Sequence, residues 1–309
     1  MFAVSSLGAL AVIRGQPERN VLTWLSLDGT SASAEPVSGA PVGGRLNTRI
    51  APDGARALVA VQTPTRMEVW LADWARDVWT LCAECHSDLG IVTWANDGRR
   101  VLVSRGDTLV AHSIERSGPD QDLLHEPDRS LIPMGWLSDG RIVYSSSPVS
   151  TRVAEIKVFE PNGSEGRVIL PLGISTEVDV SPDGRWLSYT SMSAGQPNVF
   201  VQQFSSQGSR MQVSAGGGIN PAWSADSRTL YYLRGSVVYA VEIGAGQRLN
   251  AGKPHEILRR TASQPCHPVR CYDVTGDGGR FLFSQASTER SVTRIDLVLN
   301  WSAALSKGR

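Results

Sequence analysis

The sequence predicts an all-β chain that folds as a single β-propeller of four-stranded antiparallel blades. Six Asp residues, five of them followed by Gly, each end a short apolar run and begin another. Successive members lie 44, 42, 44, 43 and 51 residues apart. A period of this length, with strand-forming residues on both sides of each turn, is typical of propeller blades. The six residues are Asp53, Asp97, Asp139, Asp183, Asp226 and Asp277.

Aligned on these turns, the chain divides into seven units, the first of which carries Leu7-Gly8 where others carry Asp-Gly. In each unit an inner strand enters the turn and a second strand leaves it with alternating apolar residues, as at Leu187 and Tyr189. We therefore predict seven blades, with six as the alternative, in one domain over residues 1–309. The predicted units are residues 1–45, 46–88, 89–128, 129–173, 174–217, 218–265 and 266–301, followed by a polar tail over 302–309.

A third strand rich in β-branched and aromatic residues follows each hairpin, as in MEVWLAD at 67–73 and NVFVQQF at 198–204. Outer fourth strands such as 78–82 are weaker, because edge strands tolerate polar residues. The last unit has no room for a fourth strand, since only Asn300, Trp301 and the polar tail follow its third. A ring closes by pairing the two chain ends in one blade, and the sequence offers no obvious donor for that. We therefore expect the last blade to lack its outer strand.

The Asp-Gly turns indicate structure rather than chemistry. Asp-Gly is a favoured pair where a hairpin turn needs positive φ, and the Asp carboxylate can accept hydrogen bonds from the turn backbone. We therefore interpret all six Asp residues as structural turn residues and assign no metal or catalytic role to them.

Composition restricts the class of partner. Equal numbers of acidic and basic residues, 30 of each, leave no net charge to attract nucleic acid or anionic lipid. No stretch reaches the roughly 18 apolar residues that span a bilayer, so this chain is not expected to insert into a membrane. The apolar opening Met1–Ile13 lacks a preceding positive charge and a clear cleavage site, and we interpret it as two strands rather than a signal peptide. A protein or a small ligand is the expected partner.

The segment over residues 183–232 resembles bacterial TolB-type propellers with Ser-Pro-Asp-Gly repeats. Its most specific part combines Gly216-Gly217-Gly218 with Pro221-Ala222-Trp223. Within that group the chain is most similar to the C-terminal regions of membrane-anchored bacterial serine/threonine protein kinases. The ending IDLVLNWSAAL at 295–305 carries the same resemblance, which extends over essentially the whole chain.

The resemblance implies a non-catalytic sensor or interaction module, periplasmic or otherwise outside the cytoplasm and tethered to a kinase. The chain itself has no His-Arg-Asp catalytic loop, no Asp-Phe-Gly, and no Gly-rich loop before a strand carrying Lys. It therefore corresponds to such a module without the kinase domain. A longer gene product containing both is one explanation for the unclosed ring.

Two cysteine pairs form the sharpest chemical motifs. Cys82, Cys85 and His86 match the Cys-x-x-Cys-His pattern of c-type haem attachment. A local disulfide or two free thiols are the alternatives, and we favour these because no export signal accompanies the motif. Cys266 and Cys271 fall in the corresponding loop between the last two units. The two pairs lie four units apart around the ring, so a four-thiolate zinc site joining them is not expected, and we expect no cofactor.

Hydrolytic chemistry has no support in the sequence. The Gly-x-Ser-x-Gly elbow of serine hydrolases is absent, and no Ser or Cys can be paired with a histidine. The three histidines in predicted strands or outer segments are interpreted as solvated or core residues: His112, His125 and His255. Three tryptophans recur just before the turns and are interpreted as packing between blades: Trp94, Trp136 and Trp223.

These observations favour a binding scaffold that uses its loops and the mouth of the central channel. The alternative, an enzyme with its site at the channel mouth, would need polar side chains converging from several inner strands. Five residues that precede the turns are the candidates for lining the channel: Arg49, Glu177, Asp179, Asn220 and Asp273.

Overall fold

The computed structural model describes residues 2–4, 9–14, 20–28, 31–44, 46–85, 87, 90–115, 119–151, 153–163, 165–170, 177–204, 210–244, 246, 248–260, 270–286 and 294–299. Within these ranges the chain forms 27 β-strands and one turn of 3₁₀ helix, Ala83–Cys85. The strands pair into six four-stranded sheets and one three-stranded sheet. No helix in the described part of the chain is long and apolar enough to cross a membrane. The predicted all-β propeller of four-stranded antiparallel blades is confirmed.

Five blades are built from consecutive strands, with the innermost strand first in the chain. Four strands precede them: β1 (Phe2–Val4), β2 (Ala9–Arg14), β3 (Asn20–Asp28) and β4 (Ser31–Pro36). Blade 1 contains β5 (Leu46–Ile50), β6 (Arg56–Gln62), β7 (Met67–Asp73) and β8 (Val78–Leu81). Blade 2 contains β9 (Thr93–Trp94), β10 (Arg100–Arg105), β11 (Thr108–Ser113) and β12 (Gln121–His125). Blade 3 contains β13 (Arg129–Trp136), β14 (Ile142–Pro148), β15 (Glu155–Phe159) and β16 (Gly166–Leu170). Blade 4 contains β17 (Val178–Val180), β18 (Trp186–Ser193), β19 (Gln196–Gln203) and β20 (Met211–Gln212). Blade 5 contains β21 (Ile219–Trp223), β22 (Thr229–Arg234), β23 (Val237–Glu242) and β24 (His255–Arg259).

Blade 6 joins the two ends of the chain. Its inner pair is β25 (Tyr272–Val274) and β26 (Arg280–Ala286), and its outer pair is β3 and β4 from the N-terminal region. The register of the joining pair places Leu282 opposite Trp24 and Ser284 opposite Leu22. The N-terminal strands therefore supply the third and fourth strands of blade 6.

The tight turns inside the blades follow from their sequence. In five of the six blades the Asp-Gly pair places Gly in the left-handed region, with φ between 64° and 88° at Gly54, Gly98, Gly140, Gly184 and Gly278. Glycine adopts this conformation without the steric cost that a Cβ imposes. In blade 5 the pair is Asp226-Ser227, and Ser227 takes the same conformation at φ 61°.

The core is divided into six apolar clusters, one at each junction between neighbouring blades. Blade 1 meets blade 2 through side chains such as Leu58 and Val101, and blade 4 meets blade 5 through Val201 and Leu230. At the last junction, Leu22 and Leu282 of blade 6 pack against Val59 of blade 1. Each blade thus buries both faces, and the six junctions form a closed ring.

The prediction of seven blades is wrong, and the alternative of six is correct. The predicted first unit forms no blade, because its third strand, β3, pairs with β26 of blade 6. Its opening strands β1 and β2 instead form the separate three-stranded sheet with β27 (Arg294–Leu299). The prediction that the last blade lacks its outer strand is wrong for the same reason, since β4 fills that position. The polar tail, 302–309, lies outside the described residues.

Ring closure through β3 predicts a global stability effect from its buried side chains. Leu22 is 1% exposed and packs at the junction of blades 6 and 1. Replacing it (Leu22→Ala) should lower the free energy of unfolding in urea by about 2–5 kcal/mol, the cost of a cavity in a packed core. The matched control is Val42→Ala, at a site that is 51% exposed, where the change should be about 0.5 kcal/mol or less. Equal small effects at both sites would contradict closure through β3.

Candidate functional site at the channel mouth

A cavity of about 190 Å³ opens at one end of the ring, where the inner strands approach their turns. All six blades contribute to its wall, because each innermost strand brings at least one side chain to the central axis. Representative lining residues, one from each blade in order, are Arg49, Thr93, Met134, Asp179, Trp223 and Asp273. The cavity is therefore a property of the closed ring and of no single blade.

Four charged side chains dominate the wall of the cavity. The Arg270 guanidinium bridges two carboxylates, with Nη1 3.1 Å from Asp179 Oδ2 and Nη2 2.6 Å from Asp273 Oδ1. Its Nε also donates to the carbonyl of Tyr272 at 3.1 Å. Burial opposes the charge on Arg270, but the facing Asp273 and Asp179 carboxylates raise its pKa above the usual value. Arg270 is thus a fixed cation that ties blade 6 to blade 4.

The two carboxylates also hold the neighbouring blades. Asp179 Oδ2 accepts a hydrogen bond from the backbone N–H of Trp223 at 3.0 Å, which joins blade 4 to blade 5. Asp273 Oδ2 accepts one from the backbone N–H of Ile50 at 2.8 Å, which joins blade 6 to blade 1. Bonds to a charged acceptor are stronger than neutral ones. These acidic side chains therefore stabilise the ring at two of its junctions.

A further set of bonds lies deeper in the ring. Glu177 Oε2 accepts bonds from the backbone N–H of Asn220 at 3.0 Å and from Thr190 Oγ1 at 2.7 Å. Asn220 has φ 55°, a conformation that Asn tolerates better than most residues. Its carbonyl accepts a bond from the hydroxyl of Tyr272 at 2.8 Å. Glu177 and Asn220 thus connect blades 4, 5 and 6.

Arg49 differs from the other charged residues in how few bonds it makes. Among the described residues its guanidinium makes one hydrogen bond, from Nη1 to the carbonyl of Thr48 at 3.3 Å. Burial and the positive charge of Arg270 lower its pKa to about 10, against the attraction of Asp273 and Asp179. A pKa of this size leaves Arg49 fully charged at neutral pH. Because a guanidinium carries five N–H donors, Arg49 retains donors for an anionic group in the cavity.

The five residues predicted to line the channel divide between the cavity wall and the rest of the ring. Of the five predicted channel-lining residues, Arg49, Asp179 and Asp273 line the cavity, whereas Glu177 and Asn220 are not among its lining residues. Arg270 was missed, although it bonds to two of the predicted residues. The one available signal was its position three residues before Asp273, a spacing at which a cation and a carboxylate can pair.

The predicted tryptophans line the cavity as well as packing between blades. Trp94 and Trp223 are 6% and 5% exposed and belong to the junction clusters. Trp136 packs against the cluster between blades 2 and 3. The indole N–H of Trp94 donates to the carbonyl of Arg49 at 2.9 Å, across the junction of blades 1 and 2. The aromatic wall is thereby held in place by the same junctions as the charged residues.

The six turn Asp residues all make the same local contact, at the exposed tips of the hairpins. One carboxylate oxygen accepts the backbone N–H two residues later, at 2.8–3.1 Å. The donors, in chain order of their acceptors, are Ala55, Arg99, Arg141, Arg185, Arg228 and Gly279. Bonds from Thr275 and from the Gly279 backbone lower the pKa of Asp277.

The cysteine motif is oxidised in the structure. Cys82 and Cys85 form a disulfide with each other, with their Cα atoms 5.2 Å apart. Their sulfurs are therefore unavailable for thioether bonds to haem in this form, and His86 lies outside the described residues. Cys271 is also disulfide-bonded, and Cys266 lies outside the described residues.

The fold of the chain has counterparts among solved structures. A putative TolB from Agrobacterium tumefaciens matches with a TM-score of 0.64 over 88% of this chain and 99% of its own, at 14% identity. TolB from Acinetobacter baumannii matches with a TM-score of 0.54 over 80% of this chain and 66% of its own, at 12% identity. A chain of Kuenenia stuttgartiensis hydrazine synthase matches with a TM-score of 0.53 over 89% of this chain and 94% of its own, at 13% identity. At these identities the likeness concerns the fold alone, and at that level the predicted TolB-like propeller is confirmed. No family model and no curated protein matches the sequence.

The lowered pKa of Asp277 predicts a pH-dependent contribution to stability. A carboxyl whose folded-state pKa is depressed stabilises the fold above its unfolded pKa of about 3.9, and this contribution is lost as pH falls through the folded-state value. Asp277→Asn keeps an acceptor for Gly279 but removes the charge. The variant should therefore be less stable than wild type at neutral pH, and the gap in urea unfolding free energy should narrow as pH falls below the unfolded pKa and through the lowered folded-state pKa.

The matched control for this measurement is Asp122→Asn, at an exposed position in β12. This variant, changed at an exposed surface position, should differ little from wild type in stability. A gap between wild type and Asp277→Asn that stayed constant from neutral to acid pH would contradict the charge-based account of the turn.

Proposed function

We propose that this chain is a non-catalytic propeller scaffold that binds an acidic side chain of a partner protein at the channel mouth. The observation that carries the proposal is Arg49, a charged guanidinium that lines the cavity and makes a single hydrogen bond among the described residues. A carboxylate can pair with such a guanidinium through two parallel N–H bonds. The group that binds is therefore an anionic side chain that enters the cavity and pairs with the Arg49 guanidinium.

The size of the cavity favours a group from a protein over a complete small molecule. Ligand pockets that enclose a drug-sized molecule have volumes of about 300–1,000 Å³. The cavity at the channel mouth, at about 190 Å³, suits one inserted side chain. The loops around the mouth would then contact the remainder of the partner.

The enzyme alternative is less well supported. Asp179 and Asp273 are each bonded to a backbone N–H of the next blade and to Arg270. A general acid or base must exchange its proton with a substrate, and these carboxylates are already engaged as acceptors. Their bonding favours a structural role and leaves Arg49 as the group available to a ligand.

The sensor assignment rests on the sequence resemblance to kinase-linked propellers. In this proposal the module detects its partner outside the cytoplasm and acts as the sensor region of a signalling system. Disulfides such as that between Cys82 and Cys85 persist in oxidising compartments, which agrees with this placement. The absence of net charge likewise agrees with a protein partner rather than nucleic acid.

Binding of a glutamate side chain is testable with a minimal probe. N-acetyl-glutamate methylamide should shift the indole N–H resonances of Trp94 and Trp136, which line the cavity, and N-acetyl-glutamine methylamide should not. Arg49→Gln should abolish the shifts because it removes the cation. The control Arg76→Gln, at a side chain that is 81% exposed, should retain them.

Thermal unfolding of both variants would establish that each is folded. Equal responses to the glutamate and glutamine probes would contradict carboxylate recognition. Shifts that survive in a folded Arg49→Gln variant would contradict the assignment of the site.

A further inference from the structure

Among the described residues, one group of three metal-ligating side chains comes together: Cys82, Cys85 and His112. One ligand atom from each lies within 4.8 Å of the other two. Cys82 follows the outer strand of blade 1, and Cys85 ends the short 3₁₀ turn. His112 lies in β11, the third strand of blade 2. The group therefore joins the segment after the outer strand of blade 1 to the third strand of blade 2, on elements that do not line the channel mouth.

A carboxylate orients the histidine. Nδ1 of His112 lies 2.6 Å from Oδ1 of Asp120, whose other oxygen accepts a bond from Arg105. The hydrogen bond to the Asp120 carboxylate places the proton on Nδ1 of His112. The lone pair of Nε2 is then free to bind a metal ion. Metal-ligating histidines are commonly held in this way by a carboxylate behind the ring. A core or solvated histidine, as the sequence suggested for His112, does not require such a partner.

The three side chains are held by packed strands, and a surface cavity lies beside one of them. Cys85 is fully buried in the cluster between blades 1 and 2, against apolar side chains of both. His112 is 8% exposed. Cys82 is only partly buried and lines a surface cavity of about 520 Å³ together with Glu68. An ion can therefore reach the group through this cavity, while its ligands are held by packed strands.

The oxidation state of the pair decides whether the group can bind an ion. In the structure the two sulfurs are bonded to each other. Reduction by two equivalents of a thiol adds two electrons and two protons, converts the pair to two thiols and leaves the reductant as a disulfide. A divalent cation then replaces both thiol protons, which are released to water. Thiolates of a Cys-x-x-Cys pair together with an imidazole are ligands that zinc prefers.

We propose that Cys82, Cys85 and His112 form a redox-dependent zinc site, in which reduction of the disulfide creates two thiolate ligands beside the imidazole held by Asp120. Water occupies the fourth position, as in other sites with three protein ligands. The two cysteines form a disulfide under oxidising conditions, and under reducing conditions both bind the metal together with His112. The site is independent of ligand binding at the channel mouth.

Cobalt(II), which is spectroscopically visible, is the direct probe of this site. The full chain, reduced with a phosphine under anaerobic conditions, should bind one Co²⁺ with thiolate-to-metal charge-transfer absorption, and Zn²⁺ should displace it. The oxidised chain should show no such band. Cys82→Ser and His112→Gln should each weaken binding at least 10-fold, since each removes a ligand.

Two controls separate this site from other thiols and histidines. His125→Gln alters a histidine of the neighbouring strand β12 with a side chain that is 57% exposed. Cys271→Ser removes a cysteine of blade 6 that is disulfide-bonded in the structure and becomes a thiol on reduction. Both variants should bind Co²⁺ like wild type. Asp120→Asn should weaken binding by about 10–100-fold while the charge-transfer band remains, because Asp120 positions a ligand without being one.

Circular dichroism and thermal unfolding without metal establish whether each reduced variant is folded. Only variants that fold like wild type are compared. Zn²⁺ should raise the melting temperature of reduced wild type and of the two controls, and raise that of His112→Gln by less. Failure of reduced wild type to bind Co²⁺, or full binding by a folded His112→Gln variant, would overturn the proposal.

Discussion

Pairing between β26 and β3 is the interaction on which the rest of the propeller depends. Every other blade is built from consecutive strands, whereas blade 6 combines strands from the two ends of the chain through this pair. Without it, blade 6 would present a two-stranded edge, and blade 1 would lose Leu22 and Trp24 from its apolar junction. Each blade buries both faces only when both neighbouring blades are present. Loss of the β26–β3 pair would therefore lower the stability of every blade in the ring.

The acidic side chains of the inner strands complement the apolar junctions at the centre. Asp273 accepts a hydrogen bond from the backbone N–H of Ile50 between blades 6 and 1, and Asp179 accepts one from Trp223 between blades 4 and 5. Arg270 forms ion pairs with both carboxylates. A buried charge is tolerated when it is paired and hydrogen-bonded. This arrangement leaves Arg49 as the cation with spare donors at a mouth that is already rigid, so a ligand would meet a preorganised site. The Cys82, Cys85 and His112 group is a separate site, located where the segment after the outer strand of blade 1 meets the third strand of blade 2.

The repeating features of the fold were accessible from the sequence because they are local. The Asp-Gly turns specify positive φ, and the alternating residues after them specify strands that are half buried, so both the architecture and the four-stranded blade followed. Blade count did not follow, because VLTWLSL at 21–27 fits the third strand of any blade. Its pairing with β26 is a contact between residues near opposite ends of the chain. The period locates hairpins, and it does not say which outer strands complete them.

The difference between local sequence features and contacts between distant residues also decides which site residues could be predicted. Arg49, Asp179 and Asp273 were identifiable because they occupy equivalent positions before the turns. Arg270 lies just before its strand, and its bonds to blade 4 depend on how the blades are arranged around the axis. His112 is 27 residues from Cys85 in sequence, and the two meet only because blades 1 and 2 pack face to face.

Hydrogen exchange followed by mass spectrometry tests the closed six-bladed ring most directly. Peptides covering 20–28 and 280–286 report on β3 and β26, and peptides covering 186–203 report on the middle of blade 4. The account predicts that both regions exchange with the same free energy of opening, that of global unfolding, because β3 is an integral strand of the ring. Exchange of residues 20–28 at a much lower free energy than residues 186–203 would show that the N-terminal strand frays independently. That result would contradict closure of the ring through β3.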